Sequence, residues 1–247
     1  MFTTTAKFIS LDGKLVPEDE ARLHVLSPAV KYGLTVFEGI CGYGDHKGEN
    51  LNIFRLREHL VRLQQSMHIM RYDRSYTVEE MTEQVIEVVR ANEVRDDCHI
   101  RLSAHILGTA LMDATGPVAL SCGAVNRSRR ALDDKAVRAS ISSWARIDEK
   151  SMPPRVKVAA NYHNGRLGEI QAKADGYDKA IFLTGAGKVA EGAGACLFMV
   201  RDGIPATPIA TEGILESITR ASILDIFAEE LDMPATDGWA SMRTVTL

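Results

Sequence analysis

The residue with the clearest covalent chemistry is a lysine in the apolar stretch Arg155-Val156-Lys157-Val158-Ala159-Ala160. A lysine in a strand of this kind is partly removed from water, and desolvation disfavours its charged ammonium form. A neutral amine can attack a carbonyl carbon and form a Schiff base. The pattern therefore indicates a Schiff-base lysine at Lys157, although a lysine that extends its ammonium to solvent from a strand edge would look the same.

A second candidate is the carboxylate that precedes three small residues in Glu191-Gly192-Ala193-Gly194. Small residues let the backbone approach a flat or anionic group closely. A carboxylate beside them could pair with a protonated ring nitrogen and keep it charged. The alternative is a glycine-rich turn with a solvent-facing glutamate.

Two further features could bind an anion. The segment 215–220 opens a predicted helix, and a helix N-terminus offers N–H groups and the positive end of a dipole to phosphate. Ser217 or Thr219 could instead be a simple N-cap there. Arg62 lies between apolar neighbours on another predicted helix, where it could reach inward to a fixed anion or form a surface ion pair with Glu58.

Strands and helices must position these residues, and both are predicted from apolar periodicity and turn residues. The predicted strands are 7–11 and 14–16 around a turn at Asp12-Gly13, then 36–43, 51–54, 99–107, 117–125, 137–142, 180–184 and 196–200. The predicted helices are 57–67, 77–92 with a capping box at Thr77 and Glu80, 167–175 and 219–231. Because these elements are mixed without strict alternation, an α+β fold is favoured.

A polar stretch near the middle of the chain predicts a domain boundary. Residues 126–135 include Arg127, Arg129, Arg130 and Lys135, and they favour an interdomain loop. The domains would then be residues 1–125 and residues 136–247. A solvated surface loop within one domain explains the same composition.

The composition is that of a globular protein and argues against several classes. The chain has 247 residues, 45% hydrophobic and 25% charged, and its net charge of -4 lacks the basic excess of a nucleic-acid-binding protein. No apolar run is long enough to predict a membrane span, and the N-terminus does not resemble a secretory signal. The four cysteines form no CxxC pair, so we expect neither a metal site nor disulfides, and the cytoplasm is the expected location. Absent P-loop, HExxH and GxSxG motifs argue against nucleotide hydrolases, zinc proteases and serine hydrolases.

Five patches occur in order along the chain. The patches are His24-Val25-Leu26-Ser27-Pro28-Ala29-Val30-Lys31-Tyr32-Gly33, Val36-Phe37-Glu38-Gly39-Ile40, Phe54-Arg55-Leu56-Arg57-Glu58-His59-Leu60-Val61-Arg62-Leu63, Lys157-Val158-Ala159-Ala160-Asn161-Tyr162, and Val189-Ala190-Glu191-Gly192-Ala193-Gly194 with Ile218-Thr219-Arg220. This ordered set is similar to class IV aminotransferases of pyridoxal 5'-phosphate (PLP) fold type IV, most closely the branched-chain amino acid aminotransferases. The resemblance implies a two-lobed α+β fold, with a small N-terminal lobe and a larger PLP-binding lobe that has a β-barrel-like sheet.

The resemblance also implies roles in cofactor chemistry. Lys157 would hold PLP as a Schiff base and would then move the proton at the substrate Cα. Glu191 would keep the pyridine nitrogen protonated, Tyr162 would hydrogen-bond the phenolic oxygen, and Leu215 would pack on the ring.

The phosphate and the substrate would have their own residues. The resemblance implies that Arg62 and the backbone amides of Ile218 and Thr219 hold the phosphate. It implies that Phe37 and Tyr32 line the substrate pocket, with Tyr32 contributed by the neighbouring subunit of a homodimer.

Arg101 matches an arginine that family members use near the substrate carboxylate. The expected activity is the transfer of an amino group between an amino acid, branched-chain in type, and a 2-oxo acid. The Tyr32-Gly33 and Phe37-Glu38-Gly39 context favours this type. Aminodeoxychorismate lyase, D-amino acid transaminase and an inactive relative are the alternatives.

Three departures from the family pattern bear on these expectations. Ala195-Cys196 stand where relatives carry Glu-Asn, and Asn126-Arg127-Ser128-Arg129-Arg130 replace aromatic residues, which would suit a more acidic or polar substrate. Residues 233–247 do not match the further strands and the Gly-Thr-rich turn of the family. We therefore expect a shortened C-terminal lobe with weakened PLP binding and low turnover.

Overall fold

A computed structural model of the chain describes residues 6–45, 48–127, 136–231 and 236–237. The chain divides into two compact units. The first consists of Met1–Asp133 with Val156–Ala160, and the second consists of Asp134–Arg155 with Asn161–Leu247. Both contain strands and helices, which confirms the predicted α+β class. The predicted loop 126–135 lies outside the described residues except for Asn126 and Arg127, and the predicted domain boundaries stay a prediction.

A six-stranded sheet forms the centre of the described part of the first unit, in the order β2-β1-β6-β5-β3-β4. Its strands are β1 (Phe8–Leu11), β2 (Lys14–Pro17), β3 (Thr35–Gly44), β4 (Leu51–Ile53), β5 (Cys98–Ile106) and β6 (Val118–Asn126). The β1–β2 hairpin turns at Asp12 and Gly13, where φ is 49° and 76°. Positive φ at both central residues is the geometry that an Asp-Gly turn favours, so this predicted hairpin is confirmed.

Three helices accompany this sheet. They are α1 (Pro28–Lys31), which was not predicted, α2 (Leu56–Ile69) and α3 (Val78–Ala91). The predicted capping box opens α3, since Thr77 Oγ1 accepts from the Glu80 N–H and the Glu80 carboxylate accepts from the Thr77 N–H. Packing of α2 on β3 and of α3 on β1 and β6 buries one face of the sheet.

Successive side chains of β3 point to opposite faces of the sheet, and the two faces carry different residue types. Val36 and Ile40 are fully buried on the face under α2, and Glu38 lies between them. Phe37 and Gly39 point to the opposite face, where Gly39 pairs with Arg101 of β5. One strand therefore contributes a buried carboxylate to one face and an aromatic ring to the other.

The segment Val156–Ala160 lies along the start of β3. The Phe37 N–H donates to the Lys157 carbonyl at 2.9 Å, and the Ala159 N–H donates to the Thr35 carbonyl at 2.8 Å. Val158 forms an isolated bridge with Val36 rather than a regular strand. Lys157 is half-buried between two buried valines, which is the apolar setting that the sequence indicates.

The described part of the second unit contains two three-stranded sheets and two longer helices. The first sheet is β7 (Ala139–Ile141), β8 (Lys179–Leu183) and β9 (Val189–Gly192), and the second is β10 (Met199–Arg201), β11 (Ile204–Thr207) and β12 (Thr236–Asp237). The helices are α4 (Asn161–Ala174) and α5 (Ile218–Glu229). One prediction needed correction, because the strand predicted at 196–200 begins at Met199 and ends at Arg201. The strand β9 was not predicted.

Helix α4 begins six residues before the predicted start at 167. Gly165 hides the first turns from a propensity-based prediction because glycine is a poor helix former. Gly168 follows within the predicted part of the helix. Both glycines serve close packing: a Cβ at Gly168 would collide with the Phe182 ring, and one at Gly165 would collide with the Ala193 carbonyl. Phe182 belongs to the small apolar core under this helix.

Within the described residues, no helix combines the length and apolar character that crossing a membrane requires.

Candidate active site

An amine, an aromatic ring and a guanidinium meet on the face of the first unit's sheet opposite α2. The Lys157 Nζ lies 4.9 Å from the centroid of the Phe37 ring. The Arg101 Cζ lies 3.3 Å from the same centroid, in cation–π contact. Phe37 itself is buried, so its ring is a fixed wall beside the Lys157 amine. These three predicted site residues are therefore brought together.

Two more basic residues share this face. His99 pairs with Cys41 across β5 and β3, and Arg127 donates from Nη1 to Cys41 Sγ at 3.9 Å. Burial lowers the pKa of His99, and the nearby charges of Arg127, Arg101 and Lys157 lower it further. The face around Phe37 therefore has a positive potential that suits a carboxylate.

Arg62 reaches inward from α2, and the anion it meets is Glu38. Its Nε donates to Glu38 Oε1 at 2.8 Å and its Nη2 donates to Oε2 at 2.6 Å. Glu58, the alternative partner considered above, accepts from Arg55 at 2.8 Å. Glu38 also bonds His59 Nδ1 through Oε2 at 2.7 Å. We call the three residues Glu38, His59 and Arg62 the Glu38 network.

The Glu38 carboxylate is ionised despite its complete burial. Burial raises its pKa, but hydrogen bonds from Arg62 and His59 outweigh that effect and hold the pKa below its ordinary value. An ionised carboxylate only accepts hydrogen bonds, so the Nδ1 of His59 must carry a proton.

Helix α2 also contacts the Lys157 segment. Ser66 lies one turn after Arg62, and its hydroxyl accepts from the Lys157 N–H at 3.4 Å. Residues four apart share a face of a helix, so Arg62 and Ser66 belong to the same face of α2.

Tyr32 lies at the C-terminal end of α1, and 38% of it is exposed. The ammonium of Lys31 lies 5.0 Å from its ring. Tyr32 therefore belongs to the exposed surface of the first unit, together with the apolar residues Val25, Leu26 and Val30.

In the second unit, Glu191 is held at the end of β9. Arg146 Nη2 lies 2.5 Å from Glu191 Oε1, and the Leu215 N–H donates to Oε2 at 3.2 Å. Arg146 is itself fixed, because its Nε donates to the Gly213 carbonyl at 3.1 Å. The solvent-facing alternative for Glu191 is wrong, since this residue is only 6% exposed.

The remaining predicted residues also belong to the second unit. Tyr162 lies on the first turn of α4, and its Cε1 is 3.7 Å from where a Cβ of Gly194 would be. Ser217 caps α5 by accepting from the Arg220 N–H at 3.2 Å. Ile218 and Thr219 follow as the first two residues of α5, where backbone N–H groups have no partner within a helix. The N-cap and the phosphate interpretations of this segment are therefore compatible.

Sequence reasoning missed Glu38, His59, Ser66 and Arg146. One signal was available for Glu38, because a carboxylate between apolar residues of a buried strand needs partners. Arg146 stands in an irregular segment without periodicity, and its partner lies 45 residues away, so no local pattern reveals the pair.

Comparison with known proteins decides the family. Residues 35–244 match the family described as amino-transferase class IV. A probable branched-chain-amino-acid aminotransferase of Aquifex aeolicus is 37% identical over 91% of this chain and 73% of the relative. The chain belongs to the class IV aminotransferase family. It is a PLP-dependent transaminase, so the enzyme class and the cofactor that the resemblance implied are confirmed.

Solved structures agree with this assignment and confirm the predicted PLP fold type IV. The PLP form of the branched-chain amino acid aminotransferase from Thermobaculum terrenum superposes with a TM-score of 0.88 at 37% identity, covering 94% of this chain and 76% of that one. The branched-chain aminotransferase of the thermophilic archaeon Thermoproteus uzoniensis, solved with norvaline, gives a TM-score of 0.87 at 40% identity, covering 93% of this chain and 77% of that one.

Each unit holds groups that suit PLP. In the first unit, Lys157 supplies an amine for an aldehyde, and Arg62 supplies donors for a phosphate. In the second unit, Glu191 supplies a carboxylate for a ring nitrogen, and the start of α5 supplies N–H donors for a phosphate. In the described part of the chain, no group of three or more His, Cys, Asp or Glu side chains could hold a metal ion.

Proposed function

We propose that this transaminase moves an amino group between a branched-chain L-amino acid and a 2-oxo acid, with Lys157 as its catalytic residue. The convergence of the Lys157 amine and the Arg101 guanidinium on the Phe37 ring is the observation that carries the proposal. An apolar wall suits a branched aliphatic side chain, and a guanidinium suits a carboxylate. The relatives and solved structures that this chain resembles are branched-chain aminotransferases, which supports the same proposal.

The cofactor, when bound, supplies an electron sink that stabilises negative charge at the substrate Cα. Lys157 would anchor it, and after exchange with the substrate amine its neutral side chain would hold and move the proton at Cα. Glu191, fixed by Arg146, would keep a proton on the ring nitrogen.

The remaining cofactor groups would have separate partners. Arg62 and the N–H groups of Ile218 and Thr219 would bind the phosphate. Tyr162 would donate to the phenolic oxygen, and Leu215 would contact the ring. Arg62, Tyr162, Ile218 and Thr219 sit on helices that limit their movement, and the Leu215 N–H is bonded to Glu191.

The basic face around Phe37 supports a dicarboxylic acid as the second substrate. Arg101, His99 and Arg127 all contribute positive charge or hydrogen-bond donors there. We therefore propose 2-oxoglutarate as the amino acceptor. Salt would screen the attraction between these charges and the substrate carboxylates. The KM for 2-oxoglutarate should therefore rise with ionic strength more than the KM for leucine.

The catalytic role of Lys157 is tested by trapping. Wild-type protein is mixed with PLP, reduced with borohydride and digested, and the peptide that carries the cofactor is identified by mass. We expect the label on Lys157 and none on the Lys157→Ala variant. Lys173→Ala, which removes an exposed lysine of α4, is the matched control. Covalent label that persists in Lys157→Ala contradicts the proposal.

The substrate class is tested with a panel of donors and 2-oxoglutarate. L-leucine, L-isoleucine and L-valine should produce glutamate, whereas D-alanine and aminodeoxychorismate should not. Faster turnover of D-alanine, or pyruvate release from aminodeoxychorismate, would assign the chain to the corresponding alternative activity. No turnover with any donor would support the inactive alternative.

We further propose a homodimer that buries the exposed apolar surface around α1. Lys31 Nζ donates to the Ala110 carbonyl at 2.9 Å and so joins α1 to the loop after β5. The exposed apolar residues there are Val25 (71%), Leu26 (53%), Val30 (53%), Leu111 (71%) and Met112 (72%). A cluster of this kind marks an interaction surface. Light scattering should give twice the 27.1 kDa chain mass, and aspartate at both Leu111 and Met112 should give the monomer.

The cytoplasm is the proposed location, since its reducing conditions would preserve the four free thiols of this chain. Fractionation of cells that express the tagged protein tests this. Activity confined to the periplasm or the medium would contradict it.

A further inference from the structure

We propose that Glu38 is a positioning residue for the cofactor phosphate: it holds the Arg62 guanidinium in the orientation that binds phosphate, and His59 holds Glu38. This inference rests on the proposed phosphate-binding role of Arg62 and extends it. The family resemblance assigned no role to Glu38 or His59.

The geometry of the Glu38–Arg62 contact is that of a clamp. Two parallel bonds, Nε to Oε1 at 2.8 Å and Nη2 to Oε2 at 2.6 Å, fix both the position and the plane of the guanidinium. A free arginine side chain has many rotamers, and ordering it opposes binding. Arg62 bound to Glu38 has lost that freedom before any phosphate arrives.

His59 fixes the carboxylate in turn. It lies three residues before Arg62 on α2, and its Nδ1 is 2.7 Å from Glu38 Oε2. One carboxylate on β3 thus receives donors from two positions of one helix. Because β3 and α2 are both regular elements with buried faces, the network cannot shift without moving the packing around it.

Stability alone gives little reason for an ion pair at this place. Glu38 lies between the buried residues Val36 and Ile40, and an apolar side chain there would pack under α2 at least as favourably. The pair therefore has a better explanation in what it orients. Arg62 shares its face of α2 with Ser66, whose hydroxyl bonds the backbone of the cofactor-anchoring Lys157.

If Glu38 positions Arg62, its loss should weaken binding of the cofactor phosphate but not of the pyridine ring or the aldehyde. Pyridoxal carries the same aldehyde and ring as PLP but has no phosphate. Apo protein is titrated with each compound, and the absorbance of the lysine-bound form gives two dissociation constants. We compare wild type, Glu38→Gln, Arg62→Gln and the double variant.

We expect Glu38→Gln to weaken PLP about 10-fold and pyridoxal less than about 2-fold, since only the phosphate contact is disordered. The double variant should lose no more PLP affinity than Arg62→Gln alone, because Glu38 acts through Arg62. His59→Asn, which keeps a donor near Glu38, should lie between wild type and Glu38→Gln.

Val85→Ala controls for general loosening of the first unit, because it opens a cavity under α3 away from the Glu38 network. This variant should leave the ratio of PLP to pyridoxal affinity unchanged. If Glu38→Gln does not fold, Glu38→Asp replaces it, since it retains the buried charge but withdraws the carboxylate from Arg62.

Two results overturn the inference. One is a ratio of PLP affinity to pyridoxal affinity that is the same in the Glu38 variants as in wild type. The other is a loss of PLP affinity in the double variant equal to the combined losses of the two single variants. Failure of the proposed function has a different signature, namely wild-type protein that forms no borohydride-reducible link with either compound.

Discussion

Two Glu-Gly dipeptides on strands, Glu38-Gly39 and Glu191-Gly192, give each unit a buried carboxylate paired with an arginine. Glu38 lies inside β3, is fully buried, and receives side-chain donors on both oxygens from α2. Glu191 lies at the end of β9, and its partners are Arg146 and the Leu215 backbone N–H.

The difference separates a carboxylate that positions other side chains from a carboxylate that is itself placed to meet a ligand. Glu38 is packed under a helix, so its bonds serve other side chains. Glu191 stands next to a run of small residues, where a flat ring can approach closely. Two buried glutamates, each paired with an arginine, therefore need not have the same role.

The largest expected effect is on stability. Glu38→Gln should lower the free energy of unfolding by about 3 kcal/mol, because it leaves the buried charge of Arg62 without a full counter-charge. Glu191→Gln, which weakens one side-chain partner instead of two, should cost clearly less. Urea denaturation of the apo protein measures both.

Replacing Glu38 and Arg62 together by Met is the control for this prediction. The double change should recover most of the lost stability, because an apolar pair needs no charge compensation. A Glu191→Gln variant that unfolds as readily as Glu38→Gln would remove the distinction between the two carboxylates.

The second prediction concerns rate. Glu191→Gln should lower kcat about 100-fold in protein saturated with PLP, because the ring nitrogen would no longer be kept protonated. Glu38→Gln should leave kcat within about 3-fold of wild type under the same saturation. Glu212→Gln, which removes an ion pair with Lys188 in the second unit, is the matched control and should be neutral. Equal losses of kcat in both variants would contradict the division of roles.

The third prediction concerns His105, a buried histidine of the first unit. His59 faces Glu38, whereas His105 bonds only hydroxyls in the contacts described, Thr35 Oγ1 at 3.0 Å and Ser121 Oγ at 2.7 Å. Burial, aided by the charge of Arg101, lowers the pKa of His105 from 6.5 to about 4. Between these values the unfolded chain binds a proton that the folded chain does not, so stability must fall as the pH falls.

From about pH 8 to about pH 5 this single group should lower the free energy of unfolding by about 2 kcal/mol. His105→Gln, which keeps hydrogen-bonding groups between the two hydroxyls, should lose that part of the pH dependence. The Glu38 pKa is also lowered, but its contribution is lost only at more acidic pH, below the ordinary value of 4.5. An unchanged pH profile in His105→Gln would show that burial does not control this group.

The smallest expected effect concerns the glycines. A Cβ at Gly39 would come within 2.8 Å of the His99 ring, which can rotate away, so Gly39→Ala should cost at most about 1 kcal/mol. Gly165→Ala should cost more, because its Cβ would meet the Ala193 backbone carbonyl, which cannot move without shifting the loop after Glu191. Thermal denaturation ranks the two, and the reverse order would contradict the prediction.

Local signals made part of the fold predictable. The Asp12-Gly13 hairpin and the Thr77 capping box each need only a few neighbouring residues, and both were found. The start of α4 was not found, because Gly165 allows close packing against Ala193, a residue distant in sequence. Propensity describes a residue in isolation and carries no information about such a neighbour.

The candidate site shows the same contrast between local signals and contacts that only the fold creates. Lys157 and Glu191 could be singled out because their apolar or small neighbours are unusual surroundings for a charge. The partners that fix the carboxylates could not, since Arg62 is 24 residues from Glu38 and Arg146 is 45 residues from Glu191. Only the fold brings such residues into contact, so an inward arginine could be suspected but its anion could not be named.

The bonds between β3 and Val156–Ala160 have a consequence for the order of synthesis. When residues 1–133 have been synthesised, every strand of the six-stranded sheet is present. Lys157, whose carbonyl accepts a hydrogen bond from the Phe37 N–H, is not yet present. The nascent first unit must therefore remain unfinished while residues 134–155 emerge. Covalent attachment of the vitamin-derived cofactor therefore requires that synthesis has passed Lys157. A chain that ends before this residue has all six strands of the sheet but no lysine to bind the cofactor.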